Sequence, residues 1–387
     1  MKLRNWLSSS SAARIGWFHG RANATIESPS LSGPSSGRDT LPRVRTDRIQ
    51  AFDWLRGLAV LFMIQCHAMV LLRPELLTGR LFHWLNVVDG LVAPAFLLAA
   101  GFSLALVQVR GAAVGTRQAR ILKSLRRIIE VLLVATVVNG VWFPIFQEPK
   151  WLLRIDILHC VGLSLLVALP ILGILAPRPT ALRWLALGLA GIAFGVAPLA
   201  EHARGLVANF VNISTGSLFP LLPWAGYVYL GASAGAVAAA EDFRALWHWV
   251  LVLLIIGLAV WQAAPIFLRL YPPHLFWLTD PANHGHRWVY VCVLILALAL
   301  TERVLVAKWK SSAPFRFLGV FGTSSLAAYF FHQMLLNSHL FGYSFSAQWG
   351  NRCGWTRYGV LTSVLIGLTY LLSLATDHVY RWVTSTR

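Results

Sequence analysis

Residues 51–72 read AFDWLRGLAVLFMIQCHAMVLL, an apolar run broken at few places, and the breaks Asp53, Arg56 and His67 decide how it is read. Eleven residues separate Arg56 from His67. At about 100° and 1.5 Å per residue, that spacing returns to nearly the same face of a helix and covers roughly 16 Å of depth. Asp53 falls in the same arc. Charged and titratable side chains inside a bilayer-spanning segment are costly and normally face protein or a wet cavity. A stripe of three therefore predicts a pathway or a reaction site within a membrane.

The rest of the chain agrees. It is 57% hydrophobic and only 12% charged over 387 residues, with a mean hydropathy of +0.63, far from the balance of an ordinary soluble domain. Apolar stretches near the roughly 20 residues that cross a hydrocarbon core recur after residue 50. They lie at 51–72, 86–109, 128–146, 155–176, 181–200, 217–240, 245–268, 288–307, 317–340 and 357–380. Each is predicted helical, because an open strand edge cannot be satisfied in lipid and no run alternates as a barrel strand does. The expected fold is an all-α polytopic membrane protein, a bundle of about ten transmembrane helices.

The formal net charge of +18 raises the question of nucleic acid, and the distribution answers it. With loops assigned alternately to two sides, 23 of the 33 Lys and Arg fall on one side and nine on the other, with Arg56 inside the first span. Such asymmetry places both termini in the cytoplasm and makes the lipid bilayer, not nucleic acid, the partner. Residues 1–49, rich in Ser, Arg and Gly, lack the apolar core of a cleavable signal peptide and are expected to form a disordered basic cytoplasmic tail. Residues 50–387 are then the transmembrane domain, and the bacterial cytoplasmic (inner) membrane is the expected location. Cys66, Cys160 and Cys292 fall inside spans and Cys353 in an outer loop, so no disulfide framework follows.

Three constellations can carry chemistry. The stripe of the first span continues to His83, Trp84 and Asp89 at the outer start of the second. Imidazole is well matched to proton abstraction near neutral pH, although a histidine beside a tryptophan is also common at headgroup level. In the ninth span Ser325, Tyr329 and His332 stand at i, i+4 and i+7 on one face, with His339 further along. Serine and tyrosine there serve equally as interhelical glue. Arg154, Asp156 and His159 gather at the outer start of the fourth span, where a plain interfacial ion pair is the alternative.

Arg56, with the run from Arg110 to Arg127 around the inner mouth, suits a phosphate-bearing ligand, because guanidinium forks match phosphate oxygens. Asn283-His284-Gly285-His286 brings two histidines together without completing a ligand set, so it reads as a solvated loop and no metal site is expected. Asn212-Ile213-Ser214 fits a glycosylation acceptor. Phosphate-cradling glycine loops are absent.

Several of these stretches resemble one family in order. Arg48-Ile-Gln-Ala-Phe-Asp53-Trp-Leu-Arg56-Gly57, followed by a span ending near His67, is similar to the opening of the heparan-α-glucosaminide N-acetyltransferase family. Asp89 with Pro94-Ala-Phe-Leu-Leu-Ala-Ala-Gly101-Phe-Ser103 resembles its second span, and Arg154-Ile-Asp-Ile-Leu-His-Cys-Val-Gly162 a later span entrance. Phe219-Pro220-Leu-Leu-Pro223-Trp224-Ala-Gly226 resembles a segment of bacterial members, and Ser325-Leu-Ala-Ala-Tyr329-Phe-Phe-His332 a late Tyr-to-His block.

The resemblance implies acetyl transfer across the membrane, from cytoplasmic acetyl-coenzyme A as co-substrate, without metal, to an amino sugar or other glycan outside. It implies a catalytic role for His83, the one histidine in the outer loop between the first two spans, with His67 sharing or exchanging that duty; the residues' own chemistry assigns donor binding to Arg56, Asp53, Ser325 and Tyr329 and acceptor binding to Asp89, His159 and His332. His67 stands where the animal enzyme has Asn, and His159 where Gln is expected. N- against O-acetylation, direct transfer against an acetyl-histidine intermediate, and a homodimer against other assemblies stay open. A secondary transporter of an anionic or sugar solute is the alternative reading.

Overall fold

The structure, a computed structural model, describes residues 49–142, 154–214, 216–241, 243–269, 281–309, 312–338 and 342–385. Fourteen helices follow in order among them: α1 Gln50–Ala68, α2 Arg80–Asp89, α3 Val92–Ala113, α4 Arg117–Trp142, α5 Ile157–Leu175, α6 Pro179–Ala200, α7 Ala208–Val211, α8 Leu221–Ala240, α9 Phe243–Leu268, α10 Pro281–Trp309, α11 Ala313–Thr323, α12 Ser325–Asn337, α13 Phe345–Trp349 and α14 Trp355–Ser385. Among the described residues there is no strand, only a single bridge between Leu72 and Cys353. Seven helical segments are long and apolar enough to cross a bilayer: those containing α1, α2–α3, α5, α6, α8, α9 and α14. The protein is an all-α polytopic membrane protein. The three remaining apolar segments of the sequence form α4, α10 and the α11–α12 pair.

Exposed apolar residues such as Ile174, Ile192, Ile255, Leu300 and Leu371 lie on the outer faces of their helices. A bundle that is apolar both inside and outside suits lipid rather than water. Inside, α3 packs most extensively on α8. The reason is visible at glycine: a Cβ at Gly101 would collide with the Val228 carbonyl, one at Gly231 with the Leu98 carbonyl, and one at Gly235 with the Phe102 carbonyl. Bare backbone on both sides lets the two helices touch, the standard device for helix association without a hydrophobic driving force.

Two of the apolar segments are broken, and both breaks have a local cause. The second splits into α2 and α3 around Gly90 and Leu91. Pro94 has no N–H to give and its ring opposes the carbonyl four residues back, at Gly90, so a continuous helix is disfavoured there. The ninth segment, expected as one span over 317–340, starts at Ala313 and divides at Ser324. Phe315 stacks near Trp54 with ring centroids 4.4 Å apart, while the Leu318 carbonyl abuts Gly57 and Gly322 abuts the Asp53 carbonyl. Both ends of α11 thus meet the same two turns of α1, so α11 crosses the base of α1 rather than running beside it. From the end of α11, where Gly322 meets Asp53, α12 climbs alongside α1 and brings His332 to His67.

The chain runs up and down, and side-chain contacts sort the helix ends into two groups. At one end Glu302 of α10 accepts the backbone N–H groups of Gln50 and Ala51, each at 3.0 Å. Ile49 precedes α1 and cannot cap it, so a carboxylate from a distant helix supplies the capping acceptors and the negative charge that a helix start favours. At the other end the start of α14 closes on the end of α1: Gln65 Nε2 donates to the Tyr358 hydroxyl at 3.0 Å, which in turn donates to the Gln65 carbonyl at 2.9 Å.

Candidate functional site

The stripe read from α1 faces protein along its length. Arg56 pairs with the Asp53 carboxylate one turn earlier on the same helix. Asp53 is buried and Arg56 partly so. Eleven residues higher, about 16 Å along α1, His67 meets α12. His67 Nδ1 lies 2.8 Å from His332 Nε2, the two rings being parallel within 3° at 5.1 Å between centroids. Nδ1 of His67 is also 2.8 Å from the Gln333 side-chain amide, and that amide pairs with Asn337 at 2.9 Å. His332 is fully buried, and its own Nδ1 lies 2.8 Å from the Ala328 carbonyl.

Tyr329, one turn before, sets its ring edge-on to both imidazoles, 6.5 Å from His67 and 5.4 Å from His332. Its hydroxyl donates to the Asp156 carboxylate at 2.6 Å. Asp156 is the residue preceding α5, where an acidic side chain usually caps its own helix. Here it makes no such cap and is given to Tyr329 instead. A hydroxyl-to-carboxylate bond is charge-assisted and among the stronger kinds. One network thus joins α1, α12 and the start of α5: Asp156, Tyr329, His67, His332, Gln333 and Asn337.

The remaining sequence candidates separate around this network. Ser325 sits at the base of α12, one turn below Tyr329, between the Arg56 level and the imidazoles. His159 is buried on α5, one turn above Asp156, with Nε2 3.4 Å from the Thr136 hydroxyl of α4; its Nδ1 has no hydrogen-bond partner among the described residues. Asp89, at the end of α2 and 9% exposed, lies beside Cys66 and Gln65 of α1 without meeting either at hydrogen-bond geometry. His83 is exposed on α2, its ring edge-on to Trp84 at 6.5 Å. Arg154, just before α5, is half-buried; burial lowers its pKa below the usual guanidinium range and the nearby Asp156 opposes that. His339 lies outside the described residues.

Two readings of the sequence are corrected. The Asn283-to-His286 stretch is not a solvated loop. With Pro281 as its first residue, a position proline favours, α10 begins before these residues and carries His284 into the interior, 1% exposed. The Tyr227 hydroxyl lies 3.0 Å from His284 Nδ1 and 3.2 Å from its carbonyl, and Trp224 stands edge-on to the ring at 5.2 Å. Asn212 is likewise unsuited to carry a glycan. It is fully buried, and its amide nitrogen donates to the carbonyls of Ala200, Glu201 and Ala203 at 2.9, 3.3 and 3.1 Å.

Sequence spacing found His67, Tyr329 and His332 but gave no reason to single out Gln333 or Asn337. Asp156 was visible only as part of a surface-like ion-pair pattern. The signal for Gln333 was weak but present: a glutamine next to a histidine inside an apolar helix has no cheap alternative to an internal partner.

Fold and network together define a multi-pass membrane protein with a hydrogen-bonded imidazole pair among its helices, His332 buried and His67 partly so. Residues 48–271 match the catalytic domain of heparan-alpha-glucosaminide N-acetyltransferase, more than half of the chain, and the chain belongs to that family. It is therefore a membrane-embedded acyltransferase. Among curated proteins none matches it. The matched region carries α1, α2 and the start of α5, hence His67, His83 and Asp156, while α12 with Tyr329 and His332 lies beyond it.

Proposed function

We propose that the protein transfers an acetyl group from acetyl-coenzyme A, taken up at the Arg56 end, to the amine or hydroxyl of an amino sugar or other glycan presented at the His67 end. The observation that carries this reading is the arrangement of α1 and α12 side by side. They lead from the Arg56 guanidinium near the start of α1, past Ser325 and Tyr329 of α12, to two imidazoles about 16 Å away. Arg56, with Asp53 holding it in place, is assigned to the donor's phosphates, and Ser325 to the path of the acyl arm. His159 and Asp89 flank the imidazoles and are assigned to the acceptor.

His67 is the group that takes the proton. As the acceptor nitrogen or oxygen attacks the thioester carbonyl, a new bond to the acetyl carbon forms and the carbon–sulfur bond breaks. The proton leaves the acceptor for His67 and passes on to the departing thiolate, so that an acetylated acceptor and the free coenzyme thiol result. A positioned base of this kind contributes about 10²–10⁴ in rate, and holding donor and acceptor together supplies much of the remainder. His83, exposed on α2 at the rim, is assigned to the incoming acceptor.

Membership of an acetyltransferase family supports this over solute transport. In this reading residues 1–49 are a cytoplasmic tail, the basic loops face the cytoplasm, and the membrane is a bacterial inner membrane. The test is product mass. Proteoliposomes supplied with isotopically labelled acetyl-coenzyme A on the basic-loop side, and a panel of amino sugars and neutral glycans on the other, should yield a labelled acetylated product outside. Movement of solute down its gradient with no acetylated product would overturn the proposal.

A further inference from the structure

The hydrogen-bond partners of the imidazole pair dictate where its protons sit. His332 Nδ1 is 2.8 Å from the Ala328 carbonyl oxygen. A carbonyl only accepts, so this nitrogen carries a hydrogen. A neutral His332 then presents a lone pair at Nε2, and that atom is 2.8 Å from His67 Nδ1. His67 must therefore carry its own hydrogen on Nδ1 and donate it to His332, which leaves the His67 lone pair on Nε2. The Gln333 amide nitrogen stands 2.8 Å from the same Nδ1, and the Gln333 oxygen accepts from the Asn337 amide. Because that Nδ1 carries a hydrogen, this tautomer requires both amides turned end for end, Gln333 presenting its oxygen to His67 and Asn337 its oxygen to the Gln333 nitrogen. The two ends of an amide have the same shape, and the network alone assigns them.

We infer that His332 is a positioning residue: through the Nδ1–H to Nε2 bond it fixes His67 in the tautomer whose Nε2 is basic, and it shares the positive charge when that atom is protonated. The inference rests on the reading of His67 as the proton-accepting group. When Nε2 of His67 gains a proton, the bond to His332 becomes charge-assisted without either ring turning. Transfer of the Nδ1 hydrogen across it makes His332 the imidazolium, and the Nδ1–H of His332 already has its acceptor in Ala328. In each state the N–H···N bond between the rings and the bond from His332 Nδ1–H to Ala328 are both kept, which a buried polar network requires.

The groups facing His67 are compatible with this sharing. From α12 come His332, Gln333 and the ring of Tyr329. From the start of α5 comes Asp156, whose charge reaches His67. On α1 itself Cys66 adjoins Asp89 of α2, and Gln65 adjoins Tyr358 of α14. Asp156 is thus a carboxylate near the pair, and its direct bond goes to Tyr329, not to either imidazole. Among the described residues it is a histidine, not an acid, that meets the base at hydrogen-bond distance.

Two measurements test the role. In the full chain in nanodiscs with ¹⁵N-labelled histidine, NMR should show His67 protonated at Nδ1 and coupled across an N–H···N bond to His332 Nε2. A His67 hydrogen on Nε2, with Nδ1 accepting from Gln333, would overturn the positioning role. In acetyl transfer, His332→Phe should lower kcat by about 10²-fold with KM for acetyl-coenzyme A unchanged, while His332→Gln, whose amide oxygen can accept from Nδ1–H, recovers about tenfold. Equal loss in two variants that melt at the wild-type temperature would also overturn it. A His67→Ala protein that still transfers acetyl sinks the reading of His67 as base, whatever the tautomer; a wrong tautomer sinks the positioning role alone.

Discussion

The two ends of the bundle are held by different chemistry. At the end where α1 starts stand contacts between full charges or between charge and helix dipole, alongside neutral ones: Glu302 on the first N–H groups of α1, Arg56 on Asp53, and Arg183 of α6 on Glu241 after α8 at 2.6 Å. At the end where α1 finishes, they are between groups that can gain, lose or pass a proton, or that orient those that do: His67 with His332, Tyr329 with Asp156, Tyr227 with His284, Gln65 with Tyr358. Fixed charge attracts and holds an anion but moves no proton. Imidazoles and phenols move protons but hold an anion poorly. A donor that arrives as a polyphosphate and reacts as a thioester needs the first at one end and the second at the other.

If that division is right, the largest effect of any substitution falls on the imidazole end. His67→Ala should lower acetyl transfer by about 10³-fold or more, measured as kcat with both substrates saturating, and leave acetyl-coenzyme A binding within about twofold. His83→Ala should act mainly on KM for the acceptor, since His83 is exposed on α2. A loss in kcat from His83→Ala as large as that from His67→Ala would break the comparison. It would mean that α2 folds inward during transfer and brings the rim imidazole to the reacting atoms. Next comes Asp156→Asn. The Tyr329 hydroxyl would keep a partner but lose its charged one, and kcat should fall about tenfold to a hundredfold with the fold intact. An unchanged kcat would confine the working part of the network to the two histidines.

How much of this the residues announce depends on period and distance. The α1 stripe was legible because Asp53, Arg56 and His67 obey the helical repeat within one apolar run, and the cost of burying them forces a protein-facing side. The face of Ser325, Tyr329 and His332 was legible for the same reason. That α12 would stand against α1, with His332 opposite His67 across 265 residues, was not. No local rule ties two helices so far apart. The break at Ser324 was hidden for another reason: Gly322, two residues before it, is ordinary in a membrane helix, and the break is set by α11 crossing the base of α1 at Gly57 and Gly322. His284 was misjudged because a polar quartet resembles a loop wherever the helix start, here Pro281, is placed a few residues late.

At the charged end the effects should be smaller and of another kind. Arg56→Gln should raise KM for acetyl-coenzyme A about tenfold while kcat changes less than threefold, because a lost charge-assisted bond to a phosphate is worth roughly 1.5–3 kcal/mol. The same variant should lose much of the salt sensitivity of donor binding, since a partly exposed guanidinium acts on an anion through screened solvent. A fall in kcat with KM unchanged would place Arg56 at the reacting atoms and erase the distinction between the ends.

The smallest effect concerns the cap of α1, and it asks whether the two ends are energetically separate. Glu302→Gln keeps one acceptor for the backbone N–H groups of Gln50 and Ala51 but removes the charge, and the cost to stability should be about 1 kcal/mol, the usual worth of a capping carboxylate at a helix start. A modest drop in the melting midpoint in detergent should report it. Activity at a temperature well below that midpoint should be unchanged, because the imidazole pair is about 25 Å further along α1 and is positioned by α12 and α5, neither of which holds a hydrogen bond to Glu302 among the described residues. If instead kcat falls by tenfold or more while the protein stays folded, the register of α1 must pass from its cap to His67. The charged end would then set the geometry of the proton-handling end as well as hold the donor.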